Sequence, residues 1–197
     1  MMLYFVIARH HDARPIIDYY GLKKDMTGGP FTIFTAHNIV LCLSDKGRAN
    51  AAAATAYMLS RWGRDGLFVH LGLLGALDSS ESLVSSGSLE SLESLVRDEG
   101  VFYPHTIFDG KEVVYQEMLY KPPLIIQEGT LEDGEGLYAF LSAARFLPLK
   151  QIIVLRSNHL ANEGVLSWLE TICGALSPFG TMSFPTSMLK KAQGITP

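Results

Sequence analysis

The chain has 197 residues, 48% of them hydrophobic and 18% charged, with a formal net charge of −4. That length and composition fit one folded domain over residues 1–197 with its own core, and exclude a disordered chain. The mild negative charge, with no basic run longer than two residues, argues against a nucleic-acid groove, which needs clustered Lys and Arg. No apolar stretch reaches membrane-spanning length.

Leu3–Ala8 is an apolar run that reads as a first buried strand. Arg9, His10, His11 and Asp12 follow at once, too soon for a secretory leader, so the chain reads as cytoplasmic. These four residues read as a polar turn. Ala13–Tyr20 then reads as a short helix with Pro15 in its first turn and Gly21 as its stop. Lys23–Pro30 is a loop. Phe31–Ala36 and Ile39–Leu43 flank His37-Asn38, the pattern of a hairpin with a two-residue turn.

Ile39 to Leu77 has the form of a strand–loop–helix–strand–loop unit. Ser44-Asp45-Lys46-Gly47 is the first loop. Gly47–Arg61 is alanine-rich, with Ala52, Ala56 and Leu59 at helical spacing. Leu67–Leu71 is the second strand, and Gly72–Ala76 the small-residue loop after it. Open α/β sheets bind ligands where such loops leave the strands.

Ser79–Ser94 is serine-rich, and its leucine spacing leaves helix and surface loop both open. Phe102-Tyr103-Pro104 reads as loop, Val113–Tyr115 as an edge strand and Pro123–Gln127 as a strand. Glu128–Gly136 reads as an acidic loop and Leu137–Phe146 as an amphipathic helix. Gln151–Leu155 is a strand followed by Arg156-Ser157-Asn158-His159, and Glu163–Leu176 is the last long helix. Cys42 and Cys173 sit in apolar contexts and read as reduced core thiols.

The candidate chemistry lies at strand ends: Asp12 after the first strand, Ser44–Gly47 after the third, His70–Ala76 in the middle and Ser157-Asn158 after the last. Glu135 opens a helix, where the N-terminal dipole favours a carboxylate. Gathered at one sheet edge, these groups would suit a polar small molecule rich in hydroxyls. Each also has a plainer reading. Asp12 could cap its helix, Glu135 could simply complement the dipole, Asn158 could be a turn residue, and His70 could be a core histidine. His10-His11 has no matching cluster at metal-ligand spacing, so no metal is expected.

Three blocks carry a resemblance: IARHHDARPIID, the Ile39–Leu77 unit, and EDGEGLYAFLSAARF followed by IIVLRSN. In order and spacing they resemble the nucleoside phosphorylase and nucleosidase superfamily, and within it the nucleosidases that cleave methylthioadenosine and S-adenosylhomocysteine. The resemblance runs from Leu3 to about His159. It implies a three-layer α/β sandwich with a central mixed, partly barrel-like sheet. It implies hydrolysis of the N-glycosidic bond of a purine nucleoside, no cofactor, and a homodimer.

By the same resemblance Asp12 would handle the attacking water and Glu135 would hold the ribose hydroxyls. Asn158 would bind the base. Ser44, Gly47, Arg48, His70 and Gly72 would form an anion or phosphate loop. The chain departs from the family at several of these places. Asp12 replaces Glu and is shorter by about 1.5 Å. Asn158 replaces Asp and cannot act as a general acid, although its amide can still hydrogen-bond a base. Gly134 replaces Met. His70 and Leu73 stand where phosphorolytic members carry Arg and Ser, which favours hydrolysis over phosphorolysis. A degenerate member that binds a nucleoside or a protein without turnover is the alternative, and a phosphate-dependent phosphorylase a further one.

Overall fold

The computed structural model describes residues 1–63, 65–73, 101–110, 112–115, 126–157 and 163–175. The Ser79–Ser94 segment and Asn158 lie outside these residues. A nine-stranded mixed sheet runs in the order β2-β3-β4-β1-β5-β9-β6-β7, with β8 paired to β6. The strands are β1 (Met2–Ile7), β2 (Lys23–Lys24), β3 (Thr32–Ala36), β4 (Ile39–Leu43), β5 (Gly66–Leu73), β6 (Val101–Asp109), β7 (Glu112–Tyr115), β8 (Ile126–Glu132) and β9 (Ile152–Ser157). The helices are α1 (His10–Tyr20), α2 (Arg48–Trp62), α3 (Gly134–Ala143) and α4 (Glu163–Ala175).

β1 lies between β4 and β5, parallel to both, and β5 is parallel to β9. Because β1 is covered on both faces it reads as a continuous apolar run. Its alternate residues feed two cores. Leu3, Phe5 and Ile7 pack with Ala13 and Ile16 of α1 and with Leu166 and Leu169 of α4. Tyr4 and Val6 pack with Ala54 and Met58 of α2 and with Leu137 and Phe140 of α3. The outcome is three layers: α1 and α4, then the sheet, then α2 and α3.

The far side of the sheet curls. Among the described residues β6 pairs with β9 at Val101 to Ser157 and Phe102 to Arg156, and further along it joins β7. Its ladder with β8 breaks register between Pro104 and Thr106. A bulge bends its strand, and proline, lacking an N–H, is tolerated in a sheet at such places. The partly barrel-like sheet is therefore present.

The hairpin forms as expected, with Ala36 opposite Ile39 and His37 at φ 47°. Gly21 closes α1 in the left-handed conformation, where its N–H donates to Asp18 and the N–H of Leu22 to Ile17.

Elsewhere the structure differs from the sequence reading. α1 begins at His10, so the polar turn is its first turn and Pro15 sits in its second. Pro15 is exposed, so the carbonyl it leaves unpaired faces water. The expected loop at Phe102–Pro104 is part of β6, and most of the expected acidic loop is β8. Strand pairing there overrides the proline and glycine signals. In α2 the buried face is Ala51, Ala54, Thr55, Met58 and Leu59, with Ala52 and Ala56 half-buried. An alanine run offers little side-chain contrast, so its neighbours decide which face is covered.

Cys42 and Cys173 are free and buried, and burial pushes the Cys42 thiol up to about 12. Among the described residues no helix is long and apolar enough to cross a membrane.

Candidate active site

β1 and β4 are neighbours and parallel, but α1 and α2, which follow them, lie on opposite faces of the sheet. Such a switch opens a crevice at the carboxyl ends of the two strands. The Ser44 N–H donates to Ile7 O at 3.0 Å, adding one rung to the ladder. Ser44 is buried and its hydroxyl donates to Asp45 O at 2.9 Å. Asp45 at φ 60° and Gly47 at φ 110° then turn the chain into α2. Asp tolerates the left-handed region better than most residues.

Glu135 arrives from the other half of the chain. Asp133 caps α3 by accepting the Gly136 N–H at 2.8 Å, and its own N–H donates to Phe108 O at 3.0 Å. The cap points the first turn of α3 at the start of α2. There Glu135 Oε1 accepts the Gly47 N–H at 2.5 Å. Arg48 pairs with Asp109 at 2.5 Å and lies 5.9 Å from the centre of the Tyr138 ring. A Cβ on Gly134 would come within 2.9 Å of the Asp109 carboxylate and 3.4 Å of Arg48 Nε. The glycine that stands where a methionine was expected thus leaves room for this ion pair.

Asp12 is the third residue of α1 and is buried at its first turn. The N-cap position is Arg9, and it makes no side-chain cap, so Asp12 does not cap the helix. Arg9 Nε donates to one Asp12 oxygen at 2.8 Å, and His11 Nε2 lies 2.7 Å from the other.

Of the expected anion loop, Ser44, Gly47 and Arg48 lie together where β4 passes into α2, and Glu135 meets them at the Gly47 N–H. His70 and Gly72 belong to β5, and His70 is 2% exposed. Burial first and Arg156 second push its imidazole down to about 3, so it stands neutral. Arg156 Nη1 lies 3.1 Å from His70 Nδ1. A guanidinium can only donate, so Nδ1 is the acceptor and the ring proton is on Nε2. A Cβ on Gly72 would come within 2.9 Å of the Arg156 guanidinium. This glycine therefore makes room for the Arg156 side chain lying over it.

Arg156 and Asp133 are the residues that sequence reasoning missed. Both are buried, and Arg156 Nη2 donates to Asp133 Oδ2. For Arg156 the sequence held one signal, an arginine inside the apolar strand IIVLRS; that Gly72 of β5 lies opposite it is known only from the register. Among the described residues no group of three or more His, Cys, Asp or Glu could hold a metal ion.

No family model matches the sequence, and no curated protein matches it. Solved structures do match in fold. A futalosine hydrolase mutant of Helicobacter pylori superposes with a TM-score of 0.60 at 11% identity, covering 87% of this chain and 98% of that one. A mutant of Helicobacter pylori MTAN, a 5′-methylthioadenosine/S-adenosylhomocysteine nucleosidase, carries 5′-methylthioadenosine in its active site. It gives a TM-score of 0.52 at 12% identity, covering 96% of this chain and 98% of that one. An AMP nucleosidase from Bacteroides thetaiotaomicron gives 0.53 at 10% identity, covering 98% and 90%. The chain has the nucleoside phosphorylase-like fold. At such identities the fold is what is shared, and one fold hosts many chemistries.

Proposed function

We propose that the chain hydrolyses the N-glycosidic bond of a purine nucleoside, bound at the carboxyl edge of the sheet between α1 and α3. The observation that carries this reading is the Glu135 carboxylate resting on the Gly47 N–H while Asp109 holds Arg48. One Glu135 oxygen is fixed by the backbone, and the other is left to accept ribose hydroxyls in charge-assisted bonds. The same arrangement disfavours phosphate. A helix N-terminus is a ready anion site, but here a carboxylate already takes the Gly47 donor and the adjacent arginine is neutralised. Water is therefore the preferred nucleophile.

In this reading Asp12 orients a water and takes its proton as the oxygen bonds to the ribose carbon. The carbon–nitrogen bond breaks through an oxocarbenium-like sugar. Asn158 hydrogen-bonds the departing base, which takes its proton from solvent. A homodimer and a cytoplasmic setting accompany the proposal. The test is incubation with inosine, guanosine, adenosine and methylthioadenosine, with and without phosphate. Free base released without phosphate is the expected outcome, and release only with phosphate would overturn it.

A second reading, binding without turnover, is favoured by two facts. Both Asp12 oxygens already face Arg9 and His11, and an amide stands at position 158 where an acid was expected. Measurable nucleoside binding with no base released from any of the four would establish it.

A further inference from the structure

The start of α3 is fastened by buried polar groups that the proposed chemistry does not use. Asp133, Arg156 and His70 are 0%, 4% and 2% exposed, so all three are removed from water. Asp133 accepts twice: one oxygen takes the Gly136 N–H at 2.8 Å and the other takes Arg156 Nη2. Arg156 Nη1 in turn donates to Leu155 O at 2.9 Å and faces His70 Nδ1 at 3.1 Å. One guanidinium thus links β5, β9 and the cap of α3.

Two glycines make the arrangement possible. A Cβ on Gly72 would strike Arg156 at 2.9 Å, and one on Gly136 would strike the Asp133 carboxylate. Cores rarely bury an ion pair for stability alone, because its desolvation cost offsets much of the attraction. What such a pair offers is a fixed geometry.

We propose that Asp133 and Arg156 are positioning residues: they fix the first turn of α3 so that Glu135 stays on the Gly47 N–H, facing the ribose hydroxyls. The inference rests on the proposed nucleoside reading for its consequence, but its geometric part can be read without any activity. Glu135 lies two residues beyond the cap, so a loosened cap moves its carboxylate directly. Its grip would weaken most for substrates whose hydroxyls it holds.

The test is the double variant Asp133→Asn/Arg156→Gln, which replaces the ion pair with two amides and leaves a capping side chain at position 133. Its fold is checked by circular dichroism. Amide exchange at Gly47 is then followed by NMR, with Glu135→Ala as the reference for a released N–H. Faster exchange by about tenfold, close to the reference, is expected, since exchange reports local opening. Unchanged exchange in the folded double variant overturns the proposal.

In turnover, KM for ribonucleosides should rise about ten- to a hundredfold, while KM for the 2′-deoxynucleosides changes little, since misplacement by roughly 1 Å can cost that much. Equal rises for both sugars would mean general loosening and would overturn it. If the double variant does not fold, Arg156→Lys takes its place. That variant keeps the charge but loses the fork, so Gly47 exchange should still accelerate, and wild-type exchange there overturns the proposal. Should the wild-type protein neither bind nor cleave nucleosides, the functional reading fails, and the Gly47 exchange still decides the positioning claim.

Discussion

Asp12 and Glu135, the two carboxylates of the proposed site, are held in contrasting ways. Asp12 takes its partners from its own turn of α1: Arg9, three residues back, and His11, its immediate neighbour. Glu135 takes the Gly47 N–H, 88 positions away in the chain, and depends on a buried cap whose arginine comes from another strand. The first carboxylate is placed by helix geometry alone, since residues three apart share a helix face. The second is placed by the tertiary fold. Damage to the core should therefore be felt at Glu135 and hardly at Asp12.

The contrast breaks down if the inner pair proves dispensable. Arg156→Met leaves Asp133 buried without its countercharge, and removing one partner of a buried pair costs about 3–5 kcal/mol. Urea unfolding should show a loss of that size, and a near-neutral result would mean that Asp133 is not confined as the structure has it. Next in size, Glu135→Gln keeps an oxygen for the Gly47 N–H but removes the charge. Hydrogen bonds to charged groups are worth about 1.5–3 kcal/mol, so nucleoside binding measured by calorimetry should weaken by roughly one to two powers of ten. Unaltered affinity would take Glu135 out of the site.

The inner layer also sets a pH dependence. His70 is held neutral, its pKa lowered from 6.5 to about 3 by burial first and by Arg156 second. Above pH 6.5 it is neutral in both folded and unfolded chains and contributes no slope. As pH falls below that value the unfolded chain takes up a proton that the folded chain refuses. Stability then drops by on the order of 1.4 kcal/mol per pH unit until the folded value is approached. His70→Asn should lack this component, so its unfolding free energy should change less steeply across the window. Parallel profiles for the two proteins would show that His70 accepts a proton in the fold.

The smallest effect belongs to the outer, local pair. Arg9→Gln removes a partly exposed charge beside the buried Asp12 carboxylate but keeps an amide N–H that can donate to it, so about 1 kcal/mol, the worth of one hydrogen bond, is at stake. A melting temperature close to wild type is expected. A loss rivalling that of Arg156→Met would erase the difference between the two carboxylates.

Much of the fold could be read from the chain because its signals are local. The run Leu3–Ala8, the His37-Asn38 turn, the alanine-rich helix after Gly47 and the strand before Asn158 each announce themselves within a few residues. β6 and β8 did not. Phe102-Tyr103-Pro104 and the EGTLE stretch carry proline, glycine and charge, and they become strands through ladders with each other and, for β6, with β7 and β9. The candidate site divides along the same line. Asp12, Ser44–Gly47 and Glu135 were named from strand ends and a helix start, and the structure brings Gly47 and Glu135 into contact. Arg48, expected to face an anion, is turned aside by Asp109, a residue with no sequence signal of its own.

By itself the sequence determined the alternation of strands and helices, the left-handed glycine that ends α1 and the carboxylate that opens α3. These follow from hydrophobic period, backbone freedom and the helix dipole, all set within one or two turns of chain. Only the tertiary structure decided that β6 would pair with β7, β8 and β9 and that Arg156 would lie over Gly72 to reach Asp133. It alone decided that Glu135 would meet Gly47. Those choices depend on which surfaces exclude water together, and no short window of sequence contains both partners.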